Sequence, residues 1–189
     1  MTPYQLAQAE IGTVEWTNGS NPKVVAYFRD AGQPGVTDDA TAWCAAFVGA
    51  MIKRAGGKPT GSLLARSYLT WGNPVDMKDA REGDIAVFSR GNSTWQGHVA
   101  FFVRENSSTL TVLGGNQSDQ VKLSTYPKSS LLSIRRAAGS QEPPFRNNPP
   151  QETPAPIPAP IPAPPQTSRP VGLVGALAAI LAALFRKGA

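Results

Sequence analysis

The chain has 189 residues, of which 41% are hydrophobic and 16% charged, enough for one domain with a packed core and an additional tail. Its net charge of +5 is spread along the chain, with no basic run interleaved with aromatic residues, so the sequence gives no support to nucleic-acid binding. A single cysteine excludes an intramolecular disulfide, and one cysteine with one histidine and no HExxH or CxxC spacing argues against a metal site.

The first half of the chain is predicted to be helical. Thr2 is the expected N-cap of a first helix, and Gln5 completes a capping box with it. Asn21 is expected to cap a second helix, because a proline follows it at the first helical position. A third helix is expected to begin with Asp39 as its N-cap and to end at Gly56. A shorter helical piece is expected in the segment SLLARSYLTWG that follows.

Beyond Gly83 the pattern changes to short runs of β-branched and aromatic residues separated by turn residues. Helices followed by strands of this kind predict an α+β domain over residues 1–140, with the helices packed on an antiparallel sheet. The expected strands cover residues 84–90, 98–105, 108–115, 120–127 and 131–137.

The end of the chain has a different composition. Residues 141–170 are rich in proline and are expected to form an extended linker, largely polyproline II. Residues 171–189 are predicted to be a membrane-associating helix with a basic end, since 171–185 hold no polar side chain. A buried or oligomer-forming helix is the alternative, because this apolar stretch is shorter than the ~20 residues that usually cross a bilayer. The N-terminus lacks the pattern of a secretory signal, so export would depend on the tail or on a membrane lesion.

The single cysteine, Cys44, lies in the segment TDDATAWCAAFVGAM near the start of the third predicted helix. With Asp39 as N-cap, it falls in the second turn, near the positive end of the helix dipole, which favours the thiolate form. The same place suits a small buried side chain, because free cysteines are among the most buried residues and this helix is apolar nearly all round. Local sequence therefore leaves two alternatives for Cys44, a nucleophile and a core residue.

His98 is the only histidine, and it opens the predicted strand GHVAFFV. A thiol hydrolase needs a base within roughly 2.6–3.2 Å of the sulfur, and His98 is the sole candidate. Asn116 follows the next predicted strand, where an antiparallel return would bring it to the same end of the sheet. Taken alone, Asn116 also suits a turn after two glycines. The order of Cys44, His98 and Asn116 on helix, strand and strand nevertheless predicts a catalytic triad.

Six segments of the chain resemble bacteriophage and bacterial cell-wall hydrolases of the CHAP type (cysteine, histidine-dependent amidohydrolase/peptidase): WCAAFV, GSLLARSYLTWG, GDIAVF, GHVAFFV, VLGGNQSDQV and STYP. The resemblance covers roughly residues 1–137 and implies an NlpC-type, papain-like fold. It also implies Cys44 as nucleophile, His98 as general base and then acid, and Asn116 as the orienting residue. Some relatives carry an acidic residue near the third position, where this chain has a glycine pair.

The resemblance implies an endolysin-like peptidoglycan hydrolase that acts on the cell wall. The linker and the apolar tail lie outside the family pattern, and the tail is expected to tether the domain to a membrane. The thiol mechanism requires no metal or organic cofactor. The hydrolase would cut either the lactyl–L-alanine amide, as an amidase, or a peptide bond of the stem or cross-bridge, as an endopeptidase. The backbone N–H of Cys44 is the expected first donor to the oxyanion. Two alternatives stay open: an interbacterial amidase toxin, and a non-enzymatic, membrane-tethered wall-binding module. Nothing in the sequence indicates an oligomeric state.

Four side chains are candidates for substrate binding. Trp43, Tyr68 and Trp71 are candidates to line a groove for sugar or peptide, with burial in the core as the alternative. Arg66 is a candidate partner for a carboxylate of the peptide stem, with a solvated surface arginine as the alternative.

Overall fold

The computed structural model describes residues 1–139. The predicted linker at 141–170 and the predicted membrane-associating segment at 171–189 lie outside these residues, as does the predicted end of the domain at residue 140. Among the helices of residues 1–139, none is long and apolar enough to cross a membrane.

Three α-helices come first in the chain: α1 Pro3–Gln8, α2 Pro22–Asp30 and α3 Cys44–Arg54. The predicted capping box begins α1, where Thr2 Oγ1 accepts from the backbone N–H of Gln5 at 3.2 Å and the Gln5 side chain accepts from the N–H of Thr2 at 2.9 Å. The predicted cap of α2 is also present, since the Asn21 side chain accepts from the N–H of Lys23 at 2.9 Å. Local sequence is thus sufficient to start both helices.

The third helix begins later than predicted. Asp39 is not its N-cap, because the buried Asp39 carboxylate accepts hydrogen bonds from the backbone N–H groups of Trp16 at 3.0 Å and Asn21 at 2.8 Å. Trp43 occupies the N-cap position without a side-chain hydrogen bond, and Cys44 is the first residue of α3 rather than a residue of its second turn. The thiol therefore lies beside the N–H groups that the first turn of a helix leaves without helical partners.

Six strands form one antiparallel sheet in the order β1–β6–β2–β3–β4–β5. All the predicted strands are present, and the short edge strand β1 is an addition to them. The predicted short helical piece is a 3₁₀ helix, Ala65–Thr70. The α+β class is confirmed. The strands are β1 Asn73–Val75, β2 Ile85–Ser89, β3 Gly97–Glu105, β4 Thr109–Gly114, β5 Lys122–Pro127 and β6 Leu131–Arg136.

The sheet buries apolar side chains on both faces. Along β3, Val99 and Phe101 pack into the larger hydrophobic cluster with the helices, whereas Ala100 and Phe102 belong to a smaller cluster on the opposite face. His98 begins the second of these alternating series, at the point where β3 starts. The alternation therefore places the imidazole at the end of the sheet, next to the backbone of Val99.

Candidate active site

Cys44 is buried at the start of α3, where every residue from Cys44 to Ile52 is buried. Burial raises the pKa of its thiol, whereas the backbone N–H groups of Val99, Ala45 and Cys44 itself act in the opposite sense. The net effect is a pKa above the ordinary value for a cysteine. The thiol is therefore protonated at neutral pH, and it needs a base to become a nucleophile.

His98 lies at the start of β3, where the register of β2 and β3 pairs it with Phe88. Its ring stacks on Tyr126, with centroids 5.0 Å apart and an interplanar angle of 17°, and Tyr126 also stacks on Phe88 at 4.8 Å. Burial lowers the pKa of His98 to about 4, the hydrogen bond to Gln117 opposes this change, and the charge of Arg90 adds to it. The ring is therefore neutral at pH 7, which is the form that accepts a proton.

The side-chain amide of Gln117 determines which ring nitrogen of His98 carries the proton. The amide nitrogen donates to the backbone carbonyls of Gly114, at 3.2 Å, and Lys122, so the amide oxygen faces the ring. That oxygen lies 3.2 Å from Nε2 of His98. Because an amide oxygen only accepts, Nε2 carries the hydrogen and Nδ1 keeps the lone pair that can act as a base.

The predicted contact between Asn116 and His98 is absent from the described residues; the neighbouring Gln117 contacts the His98 ring instead. Asn116 is half-buried and has a φ of 54°, in the left-handed region, whereas Gln117 is only 3% exposed. The strand alternation ends with Gly114, so the loop conformation decides which side chain turns towards the ring of His98. The residue assigned from spacing was therefore one position too early for this contact.

Two glycines make room for the loop that carries Gln117. A Cβ atom at Gly115 would overlap the ring of Trp43 and lie 2.7 Å from Cβ of Phe47, so the loop backbone packs directly on the start of α3. A Cβ atom at Gly114 would lie 3.1 Å from the amide carbon of Gln117. The Gln117 amide thus occupies the space that a side chain at position 114 would need.

Two neighbouring groups link the thiol to the residues around His98. The N–H of Val99, the residue after His98, faces the sulfur of Cys44, and the charge of Cys44 contributes to the raised pKa of Tyr126, which stacks on His98. Within residues 1–139, no hydrogen bond joins the sulfur to the ring. Such bonds are often long without substrate and shorten in the substrate complex.

One protein-family model matches part of the chain. Residues 36–116 match the CHAP domain. The matched segment contains Cys44, His98 and Asn116, and it ends one residue before Gln117. It confirms the resemblance to CHAP-type proteins that the sequence segments indicated.

Three solved structures are similar to the chain. The P60 domain of an antigen from M. avium subspecies paratuberculosis has 15% identity and a TM-score of 0.43, with 71% of this chain and 90% of that chain covered. RipD from Mycobacterium tuberculosis, described as a non-catalytic NlpC/p60 domain protein adapted to a peptidoglycan-binding function, has 18% identity and a TM-score of 0.42, with 72% and 98% covered. The P60 domain of a second antigen from M. avium paratuberculosis has 16% identity and a TM-score of 0.41, with 71% and 96% covered. No curated protein sequence gives a significant match.

Two of the predicted substrate-binding residues, Trp43 and Tyr68, lie in the hydrophobic core instead. Trp43 is fully buried, with its indole N–H donating to Glu15 and its ring packed edge-on against Phe47. Tyr68 is also fully buried, and its hydroxyl lies 3.4 Å from the carbonyl oxygen of Ala45. Neither ring is exposed to a groove, so the core alternative describes both, and their predicted contact with substrate is corrected.

The guanidinium of Arg66 forms hydrogen bonds within the protein. Its Nε donates to the carbonyl of Gln96 at 2.7 Å, and its terminal nitrogen donates to the carbonyl of Ser93 at 2.6 Å. These bonds hold the loop between β2 and β3, which leads into His98. Arg66 therefore supports this loop rather than presenting a free guanidinium to a substrate carboxylate as predicted.

Trp71 lies away from the thiol. Its indole N–H donates to the carbonyl of Lys58 at 2.8 Å, and the ring borders a surface cleft together with Ala55, which follows α3. A helix of 11 residues is about 16 Å long at a rise of ~1.5 Å per residue, and Cys44 stands at its other end. Trp71 thus lies apart from Cys44, and a role in lining a groove for sugar or peptide stays a prediction.

Three further residues lie near the site, and the sequence pattern did not indicate them. Gln117 directly follows Asn116 and carries the same amide group. Only the loop conformation determines which of the two amides contacts His98. Tyr126 lay in the segment STYP that contributed to the resemblance, but nothing in its spacing predicted a stack on His98. Arg90 follows directly on β2, where its proximity to His98 depends on strand pairing.

The acidic residues before α3 have structural partners. Asp38 accepts from the backbone N–H and the hydroxyl of Thr41, both at 2.9 Å, and Asp39 accepts from two backbone N–H groups as described above. In the part of the chain that the structure describes, no group of three or more histidine, cysteine, aspartate or glutamate side chains could hold a metal ion. A thiol mechanism without cofactor stays a prediction.

The lowered pKa of the half-buried His98 ring predicts a specific dependence of stability on pH. The pKa of His98 is 6.5 in the unfolded chain and about 4 in the folded state. Between these pH values the unfolded chain therefore binds more protons than the folded chain. Stability from this group is fully present above pH 6.5 and is lost as the pH falls towards 4. We expect the wild-type chain to lose about 3 kcal/mol more unfolding free energy than the His98→Gln variant between pH 7 and pH 4. Urea unfolding of both proteins at both pH values measures this difference, and equal losses would contradict a buried neutral ring.

Proposed function

We propose that this protein is a peptidoglycan hydrolase that cuts an amide bond, with Cys44 as nucleophile, His98 as general base and Gln117 as the residue that orients the base. The main support is the neutral ring of His98, whose Nε2–H is bound by Gln117 so that Nδ1 keeps its lone pair, together with a buried thiol that contacts the N–H of the neighbouring Val99. The CHAP match over residues 36–116 supports peptidoglycan as the substrate class. Together these features meet the requirements for nucleophile, base and orienting group.

In the proposed reaction, Nδ1 of His98 takes the thiol proton as the sulfur of Cys44 attacks the carbonyl carbon of the amide. The electron pair of the carbonyl moves to its oxygen, which the backbone N–H of Cys44 at the helix start stabilises. The imidazolium then gives its proton to the leaving amine as the C–N bond breaks, and a thioester remains. Finally His98 deprotonates a water molecule, which hydrolyses the thioester and restores the thiol.

The surroundings of the sulfur favour this sequence. Burial keeps the thiol protonated at rest, which protects it until a base is correctly placed. As the proton leaves, the N–H groups of Val99 and Ala45 stabilise the developing thiolate, and in a site of low dielectric these dipoles act more strongly than in water.

Two kinds of bond in peptidoglycan suit this chemistry. An N-acetylmuramoyl-L-alanine amidase would release stems with a free L-alanine amino terminus, and an endopeptidase would cut within the stem or the cross-bridge. We place the activity at the cell wall, where the linker predicted at 141–170 would give the domain reach from a membrane-associating segment at 171–185. An interbacterial toxin would use the same chemistry on the same polymer.

Digestion of purified sacculi by the full-length chain tests this proposal. Native protein is compared with protein whose Cys44 has been alkylated by iodoacetamide, and the soluble products are analysed by mass spectrometry. We expect fragments from the native protein alone, with the new amino terminus naming the bond. Binding to sacculi without release of fragments would contradict the hydrolase and indicate a wall-binding module. Absence of both binding and release would contradict peptidoglycan as the target.

A further inference from the structure

An arginine stands at the edge of the site, on the loop between β2 and β3. The last residue of β2, Ser89, pairs with Gly97, and Arg90 therefore begins the loop at the same end of the sheet as His98. Its charge acts on both reacting groups, because it contributes to lowering the pKa of the Cys44 thiol and that of the His98 ring. The guanidinium is thus close to the nucleophile and to the base.

Several hydrogen bonds hold the loop that carries Arg90. Arg66 donates to the carbonyls of Ser93 and Gln96, and the hydroxyl of Ser93 accepts from the N–H of Gln96 at 3.0 Å. The N–H of Ser93 in turn donates to the carbonyl of Arg90 at 3.3 Å. The backbone of Arg90 is therefore held in place while its side chain extends from the loop.

Among residues 1–139, the guanidinium of Arg90 has no hydrogen-bond or ion-pair partner, unlike those of several other arginines. The residue is also exposed. An exposed guanidinium beside a nucleophile is available to a ligand. By contrast, the arginines that donate to carboxylates or backbone carbonyls are Arg29, Arg54, Arg66, Arg135 and Arg136.

We propose that Arg90 binds a free carboxylate of the substrate, next to the bond that Cys44 attacks. A guanidinium presents paired N–H donors that match the two oxygens of a carboxylate, and it stays charged at any pH the enzyme meets. The ligand class is a peptide with a free carboxylate near the scissile amide, as in the stems of peptidoglycan. The choice of a peptidoglycan stem as the ligand rests on the proposed function. It assigns to Arg90 the role that the sequence analysis considered for Arg66.

Alkylation of Cys44 tests the proposal without hydrolysis. Iodoacetate and iodoacetamide react with the same sulfur by the same displacement of iodide, and they differ in carrying a carboxylate or a neutral amide. The full-length wild-type chain is compared with Arg90→Gln, and the ratio of the two rate constants is measured. We expect the ratio of iodoacetate to iodoacetamide rates to fall about tenfold in Arg90→Gln, the effect of losing one nearby positive charge.

Arg104→Gln is the matched control, because it removes the same charge from an exposed residue about 20 Å along β3 from His98. Its rate ratio is expected to stay within about twofold of wild type. An unchanged ratio in Arg90→Gln overturns the proposal. So does an equal fall in both rates, which would mean that Arg90 acts only by stabilising the thiolate.

Sacculi then test the carboxylate on the natural polymer. Untreated sacculi are compared with sacculi whose carboxylates have been converted to amides by carbodiimide and methylamine. We expect wild type to cut the untreated form about tenfold faster and Arg90→Gln to lose this preference. A preference of equal size in both proteins overturns the proposal. Inactivity of wild type on both forms would contradict the proposed function, and the alkylation ratio would still decide the role of Arg90.

Discussion

Replacing Cys44 with serine is expected to lower the release of fragments from sacculi by roughly 10³-fold or more, since loss of a nucleophile removes the covalent route. A hydroxyl holds its proton far more tightly than a thiol does. The His98 ring, with a pKa of about 4, is too weak a base to remove that proton efficiently. The measurement is the initial rate of fragment release for the full-length wild-type and Cys44→Ser chains.

The fold should survive this change. Oxygen is smaller than sulfur, and the N–H groups of Val99 and Ala45 that face the sulfur can donate to a serine hydroxyl. We expect thermal unfolding midpoints that differ by only a few degrees, equivalent to about 1 kcal/mol. Cys44→Ala, which leaves a small cavity instead, is the second variant. Wild-type rates in either variant would assign Cys44 to the hydrophobic core alone, the alternative that its burial also allows.

Removing the Gln117 side chain is expected to lower the rate about 10²-fold, the usual size of a contribution from a well-placed general base. Gln117→Ala deletes the acceptor at Nε2 of His98, so the hydrogen is free to move to Nδ1 and the ring loses the tautomer that can act as base. The Asn116→Gly variant is the matched control. Asn116→Gly removes the side chain predicted from spacing while allowing the φ of 54° that an alanine would strain. We expect the glycine variant to keep its rate within about threefold of wild type.

A conservative variant separates orientation from mere structural support. In Gln117→Glu, a carboxylate can still accept from Nε2, and its negative charge favours the imidazolium, which raises the pKa of His98 from about 4. The acid limb of the pH–rate profile should therefore move to higher pH, a shift that a purely structural residue would not cause. A large loss in Asn116→Gly with wild-type behaviour in Gln117→Ala would restore Asn116 as the orienting residue.

Several parts of the site could be predicted because they depend on local chemistry. Thr2 and Asn21 cap their helices with bonds to residues two or three positions away, so the sequence alone carries that information. The alternation of apolar residues predicted β2, β3 and β4, and the short connections between them required neighbouring strands to pair antiparallel. The position of His98 at the start of β3 followed directly from that pattern.

Other parts depended on which distant groups compete for a side chain. Asp39 is a residue type that commonly caps helices. Its carboxylate instead accepts hydrogen bonds from the backbone N–H groups of Trp16 and Asn21, and α3 starts at Cys44. Arg66 has the chemistry of a ligand for carboxylates, but carbonyls of a loop nearly thirty positions away engage it. Sequence spacing does not contain these long-range partners.

By itself, the sequence determined the α+β class, the single thiol and imidazole of the domain, and the family to which its segments are similar. Only the tertiary structure decided that Gln117 rather than Asn116 contacts His98, and that loop carbonyls engage Arg66 whereas no group within residues 1–139 engages the guanidinium of Arg90. The physical reason is the same in both cases. A periodic backbone tells which face a side chain takes, whereas in a loop the direction of each side chain follows from the close packing and hydrogen bonds of groups far apart in the chain.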